Sequence, residues 1–159
     1  MDFDKIMELW GSLPESDDAA AAAFREFYAD PVEINGTPVT AAALVERARM
    51  LATAIADQRR EIIDLIDTPG GIAVHFQMFG RHVGSLETRL GALAPTGREV
   101  EIRVMDILTF TDGRISKVGM IMDELGLAQQ VAAITVAPVV TPTAAPRRSN
   151  SGPGERAGV

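Results

Sequence analysis

The hydrophobic spacing of this chain changes once, near residue 57, and that switch limits the fold more than any single residue does. Before it, apolar residues recur at helical intervals. Ile6, Leu9, Trp10 and Leu13 keep that spacing up to Pro14. Ser16 or Asp17 can cap a second helix over 18–28, built on the alanine run 19–23. That helix stops ahead of Asp30-Pro31, because a residue before proline avoids the helical region. Residues 32–34 read as a short strand closed by the turn Asn35-Gly36. Thr40 opens a third helix to about residue 56, with Leu44, Ala48, Leu51 and Ile55 as its apolar stripe. After the switch the period is two. Residues 61–67, 72–79, 98–110 and 114–122 read as strands, joined by Thr68-Pro69-Gly70-Gly71, a glycine-flanked loop and Thr111-Asp112-Gly113. Helices first and antiparallel strands afterwards predict an α+β fold, with three N-terminal helices on one face of a curved sheet.

Composition sets the size of that fold. Of 159 residues 47% are apolar, enough for one packed domain. Residues 137–159 differ: they hold four of the nine prolines and carry three Arg against one Glu. We read 1–136 as the folded domain and 137–159 as a flexible tail. No apolar run approaches the ~18 residues that span a bilayer, and the acidic start lacks a secretion leader, so a cytoplasmic protein is expected. The net charge of −7 repels phosphate, which disfavours nucleic acid and anionic membrane as partners.

The same composition narrows the chemistry. There is no cysteine, and His75 and His82 are the only histidines, so neither metal nor cofactor is expected. His75 falls on the polar face of its strand. His82 sits in the loop-like Gly80-Arg81-His82-Val83-Gly84 and reads as structural. Carboxylates remain. Seven methionines, with only 5% aromatics, suit an adaptable apolar lining.

The strand over 98–110 carries the sharpest signal. Its even positions are Val100, Ile102, Val104, Asp106, Leu108 and Phe110, so alternation puts one carboxylate on a buried apolar face. Burial raises such a carboxyl toward neutrality, where it serves as general acid or base; the plain alternative is a buried structural acceptor. On the neighbouring strand Phe76 and Met78 share an apolar face with Ile72 and Val74. Asp123 ends the last strand, where it either caps a helix over 124–131 or turns inward beside Asp106. Ile121 and Gly119 share its parity. Asn35 is either a plain turn residue or an amide donor to a developing oxyanion.

Taken in order, Gly80-x-His82-x-Gly84, Ala94-Pro95-Thr96-Gly97-Arg98, Asp106, Asp112-Gly113-Arg114-Ile115, Asp123-x-x-Gly126-Leu127 and Gln129-Gln130 resemble the SnoaL-like polyketide cyclases, a branch of the nuclear transport factor 2-like superfamily. The resemblance covers about residues 4–130. It implies a cone-shaped α+β barrel around a deep apolar cavity, a homodimer formed through the sheet, and cofactor-free ring closure on a hydrophobic polyketide-type substrate. It implies that Asp123 is the catalytic acid/base and that Asn35 lies near the substrate enolate. Gly119 stands where the family usually has Trp, and Trp10 would take the place of a missing substrate-contacting tyrosine. Rival activities in the superfamily stay open. They are epoxide hydrolysis, epoxide-opening ether cyclisation with Asp106 and Asp123 or Glu33, a shape-driven cycloaddition, and non-catalytic binding of a small molecule. For epoxide hydrolysis Arg103 and Asp106 are three apart and should face opposite sides.

Overall fold

The computed structural model describes residues 3–89 and 91–135. The proposed 137–159 tail lies outside the described residues. The chain runs α1 (Phe3–Gly11), α2 (Asp17–Phe27), β1 (Tyr28–Ile34), β2 (Thr37–Val39), α3 (Ala41–Ala54), β3 (Ile55–Thr68), β4 (Gly71–His82), β5 (Leu86–Thr88), β6 (Gly91–Leu93), β7 (Glu99–Thr111), β8 (Arg114–Met122) and α4 (Glu124–Gln130). The fold is α+β, as the change of period predicts.

Local chemistry sets the helix starts. The Ser16 hydroxyl accepts from the Ala19 N–H at 3.2 Å, and the Thr40 hydroxyl does the same for Ala43 at 3.2 Å. The helix ends depart from expectation. Tyr28 and Ile55 are already extended, so α2 and α3 pass straight into strands with no linker. No glycine or proline marks either junction. Pairing decides it: Ile55 and Ala56 lie opposite His82 and Arg81 of β4.

Six strands form one sheet in the order β2-β1-β8-β7-β4-β3. Neighbours are antiparallel except β1 and β8, which run parallel. The edge strands β2 and β3 do not pair with each other, so the sheet is open and mixed rather than a closed barrel. The β5–β6 hairpin stands apart from it.

The two faces of the sheet differ sharply. On the inner face, Val74, Phe76 and Met78 of β4 and Val100, Ile102, Val104 and Leu108 of β7 are buried beneath the helices. Phe24, Ile6 and Leu44 supply the helix side of that core. On the outer face Met105 and Ile107 are exposed. The second half of β3 outruns the helices, so Ile62, Ile63, Leu65 and Ile66 stay exposed at the free edge.

The Gly80-x-His82-x-Gly84 spacing has a packing cause. A Cβ at Gly80 would stand 2.5 Å from Ile55 Cγ2, and one at Gly84 would stand 2.5 Å from the Thr53 carbonyl oxygen. The two glycines let β4 pass the α3–β3 junction at close range. His82 ends β4 rather than sitting in a loop, and it is fully buried. Its Nδ1 lies 3.2 Å from the Thr96 hydroxyl, and its carbonyl accepts the N–H groups of Thr96 and Gly97. His82 therefore anchors the turn leading into β7.

Candidate functional site

Asp106 points from β7 into the inner face, as period-two alternation requires. Val74 of β4 and Met120 of β8 lie directly opposite it on the two flanking strands. Val104 and Leu108 lie on either side along its own strand. The Asp106 Oδ1 atom is out of solvent and has no hydrogen-bond partner among the described residues, while the residue as a whole keeps partial exposure. Burial pushes its carboxyl up to about 7. This side chain therefore holds a proton near neutrality and can take or give one, with no protein group competing for Oδ1.

Tyr28, at the start of β1, belongs to the same interior. Its hydroxyl accepts from the Trp10 indole Nε1–H at 3.0 Å. Trp10, Phe24 and Tyr28 stack edge to face, with centroids 5.2 Å and then 5.8 Å apart. Burial raises the Tyr28 pKa, the bond from Trp10 opposes the rise, and the charge of Asp106 adds to it. Sequence reading left Tyr28 at a helix end. The signal that would have found it is the strand start, which no breaker residue marks. Trp10 is half-buried and fills space on this side of the sheet.

Asp123 and Asn35 stand elsewhere. Asp123 is the N-cap of α4: its Oδ1 accepts from the Gly126 N–H at 2.8 Å, and its own N–H donates to the Arg103 carbonyl at 2.9 Å. A side chain at position 126 would collide with that carboxylate, so Gly126 is part of the cap. Asp123 is exposed. Asn35 sits at positive φ in the β1–β2 turn and uses its whole amide on β8. Its Nδ2 donates to the Met120 carbonyl at 3.0 Å, and its Oδ1 accepts the Met120 N–H at 2.8 Å. That bond pair extends the β1–β8 pairing past the end of β1.

Asn35, Arg89, Met120, Ile121, Met122 and Asp123 are among the residues lining an open groove of about 400 Å³. Asp106 is not among its lining residues. The structure thus brings Asp123 and Asn35 to one groove and leaves Asp106 out of its lining, rather than setting the two carboxylates in one chamber.

The remaining sequence candidates divide by strand face. Phe76, Met78, Val104 and Leu108 are buried on the inner face with Asp106. Glu33, Gly119 and Ile121 fall on the outer face, away from Asp106, and Ile121 also lines the groove. Glu33 pairs with Lys117 at 2.8 Å, Gly119 lies opposite Ile107, and Ile121 lies opposite Met105. The cause is register: only even positions of β8 beyond its bulge share a face with Asp106. Arg103 also faces outward, 3.2 Å from Glu101, so it cannot join Asp106 in an epoxide-opening set.

Comparison with known proteins adds a family pattern and a fold. A family model described as SnoaL-like polyketide cyclase matches residues 6–131. Among solved structures, TsrD from Streptomyces laurentii superposes with a TM-score of 0.67 at 21% identity, over 84% of this chain and 99% of that one. A SnoaL-like polyketide cyclase from Agrobacterium tumefaciens gives 0.64 at 20% identity, over 82% and 99%. IdmH, a putative polyketide cyclase from Streptomyces antibioticus, gives 0.60 at 20% identity, over 82% and 97%. No curated protein matches in sequence.

Proposed function

Because this chain belongs to the SnoaL-like polyketide cyclase family, we propose that it closes a ring on a hydrophobic polyketide-type intermediate of secondary (antibiotic) metabolism, with Asp106 as acid and base. The observation that carries the reading is the Asp106 carboxyl, sunk in an apolar face with one oxygen unpartnered and its pKa near neutrality.

The chemistry balances without a cofactor. Ionised Asp106 takes a proton from a carbon flanked by carbonyls. The resulting enolate carbon attacks a second carbonyl of the same molecule, and the new alkoxide takes the proton back from Asp106. General acid–base help of this kind contributes ~10²–10⁴-fold. The apolar wall of Val74, Val104 and Leu108 holds the substrate bent, which removes rotational entropy from the barrier. Tyr28 stays a neutral phenol at working pH and adds no charge beside the reacting group. Asp123 is the second carboxylate of this reading, at the groove, with Asn35 fixing the strand beside it.

The test needs no knowledge of the natural substrate. A panel of aromatic 1,3-diketones in D2O reports deuterium uptake at the acidic carbon. Wild-type protein should catalyse uptake with a rise through about pH 7. Asp106→Asn should lose it by ~10²-fold or more. Equal uptake by both proteins would end the acid–base reading and leave a shape-driven cyclase or a binding protein.

A homodimer through the sheet is part of the same reading. Met105, Ile107 and Ile121 are 50%, 56% and 74% exposed and adjoin one another on the outer face. Ion pairs flank them, Glu33–Lys117 on one side and Arg103–Glu101 on the other. A twofold axis through the patch would set apolar against apolar and let the flanking charges of the two copies meet.

A further inference from the structure

The groove and the buried carboxyl share one neighbour, the side chain of Met120. Met120 lies directly across the β7–β8 ladder from Asp106, where facing side chains have Cβ atoms ~4.5–5.5 Å apart. Met120 also lines the groove and is 40% exposed, although it shares the inner face with Val118, which is buried. Asp106 keeps Oδ1 out of solvent.

The backbone there is pinned. Asn35 binds both the N–H and the carbonyl of Met120, and β7 holds the other edge of the strand. The pinning leaves the side chain as the part that can move. An unbranched thioether with three rotatable bonds repacks easily around different shapes.

We infer that the groove is the substrate's way in to Asp106, and that the Met120 side chain is the movable wall between them. The inference rests on Asp106 being the reacting carboxyl. Met120 and Met122 offer soft apolar surface, and the lining adds the acids Asp123 and Glu124 and the cation Arg89. That chemistry suits a flat, uncharged, apolar molecule with hydroxyl or carbonyl groups along its edge. On this view the amide of Asn35 serves the site by holding the hinge of the wall and leaves the substrate oxygen to other groups.

The test is carried out on the full chain by NMR, with 2-naphthol as probe, 13C-labelled aspartate carboxyls and 13C-labelled methionine methyls. In wild-type protein, naphthol should shift the Met120 methyl resonance. Met120→Ala should admit water to Asp106 and lower its titration midpoint by about one unit or more toward the ordinary carboxylate range. Met120→Phe should keep the midpoint raised and weaken naphthol binding several-fold. The other methionine methyls report whether each variant keeps its fold. A folded Met120→Ala with an unmoved Asp106 midpoint would overturn the wall and leave the acid–base reading intact, as would naphthol binding that never reaches Met120. An Asp106 that titrates in wild type like a surface carboxylate would overturn the acid–base reading, and the wall with it.

Discussion

Trp10 gives its only hydrogen-bond donor outside the main chain to the hydroxyl of Tyr28, which ties α1 to the first strand across 3.0 Å. The pair is also the chain's single tryptophan beside its single tyrosine. Tyr28→Phe keeps the ring stack and orphans the indole N–H. We expect a loss of about 1–2 kcal/mol by urea titration and a shifted emission maximum, since Trp10 is the only fluorophore of its kind.

Asp106→Asn should stabilise the protein as pH rises. The folded pKa is raised to about 7 from 3.8, so the folded chain keeps a proton that the unfolded chain releases. The contribution of this group to wild-type stability is then full below about pH 4 and is lost as pH climbs through 7, by roughly 4 kcal/mol at most. The variant has no such slope. Denaturant midpoints for both proteins at pH 4.5, 6 and 8 check this: the gap should be small at the first and favour the variant at the last.

Position 123 allows its two roles to be separated. Serine is a good N-cap, whereas alanine is not, so Asp123→Ser should hold stability within ~0.5 kcal/mol and Asp123→Ala should lose ~1 kcal/mol. We expect deuterium uptake by the serine variant to fall less than that of Asp106→Asn. A larger fall would make Asp123 the principal acid/base.

Asn35→Ala removes both bonds to Met120 and places alanine at a φ of 49°. A loss of about 2–3 kcal/mol is expected, with faster amide exchange at Met120 as its local signature. Asn35→Gly relieves the backbone strain and should recover only part of the loss.

Ile107→Glu puts a charge in the centre of the outer apolar patch. If that patch joins two copies, sedimentation should give a dimer for wild type and a monomer for the variant, with the far-UV spectrum unchanged. A wild-type monomer at high micromolar concentration would remove the dimer.

Much of this was legible in the residues. The change of period located the helices and the long strands, and the single polar residue on the even face of β7 marked Asp106. Capping chemistry found Ser16 and Thr40. The failures share a cause. Tyr28, Ile55 and Ala56 became strand because distant partners paired with them, which no local window contains. The facing of Ile121 and Gly119 depended on a bulge near Thr109–Phe110 that resets the register of β8. Asn35 was legible as a turn, but its grip on residue 120 was not, because that contact spans 85 positions.

The free edge of β3 has a consequence for the chain's life in concentrated solution. Ile62, Ile63, Leu65 and Ile66 form a short, β-prone run on a strand paired along one edge only, the kind of segment that templates aggregation. Asp64 interrupts the run and Asp67 closes it, both exposed. In an antiparallel stack of two such edges centred on residue 64, the two Asp64 carboxylates would face each other. They act as gatekeepers, and the protection they give depends on their staying ionised.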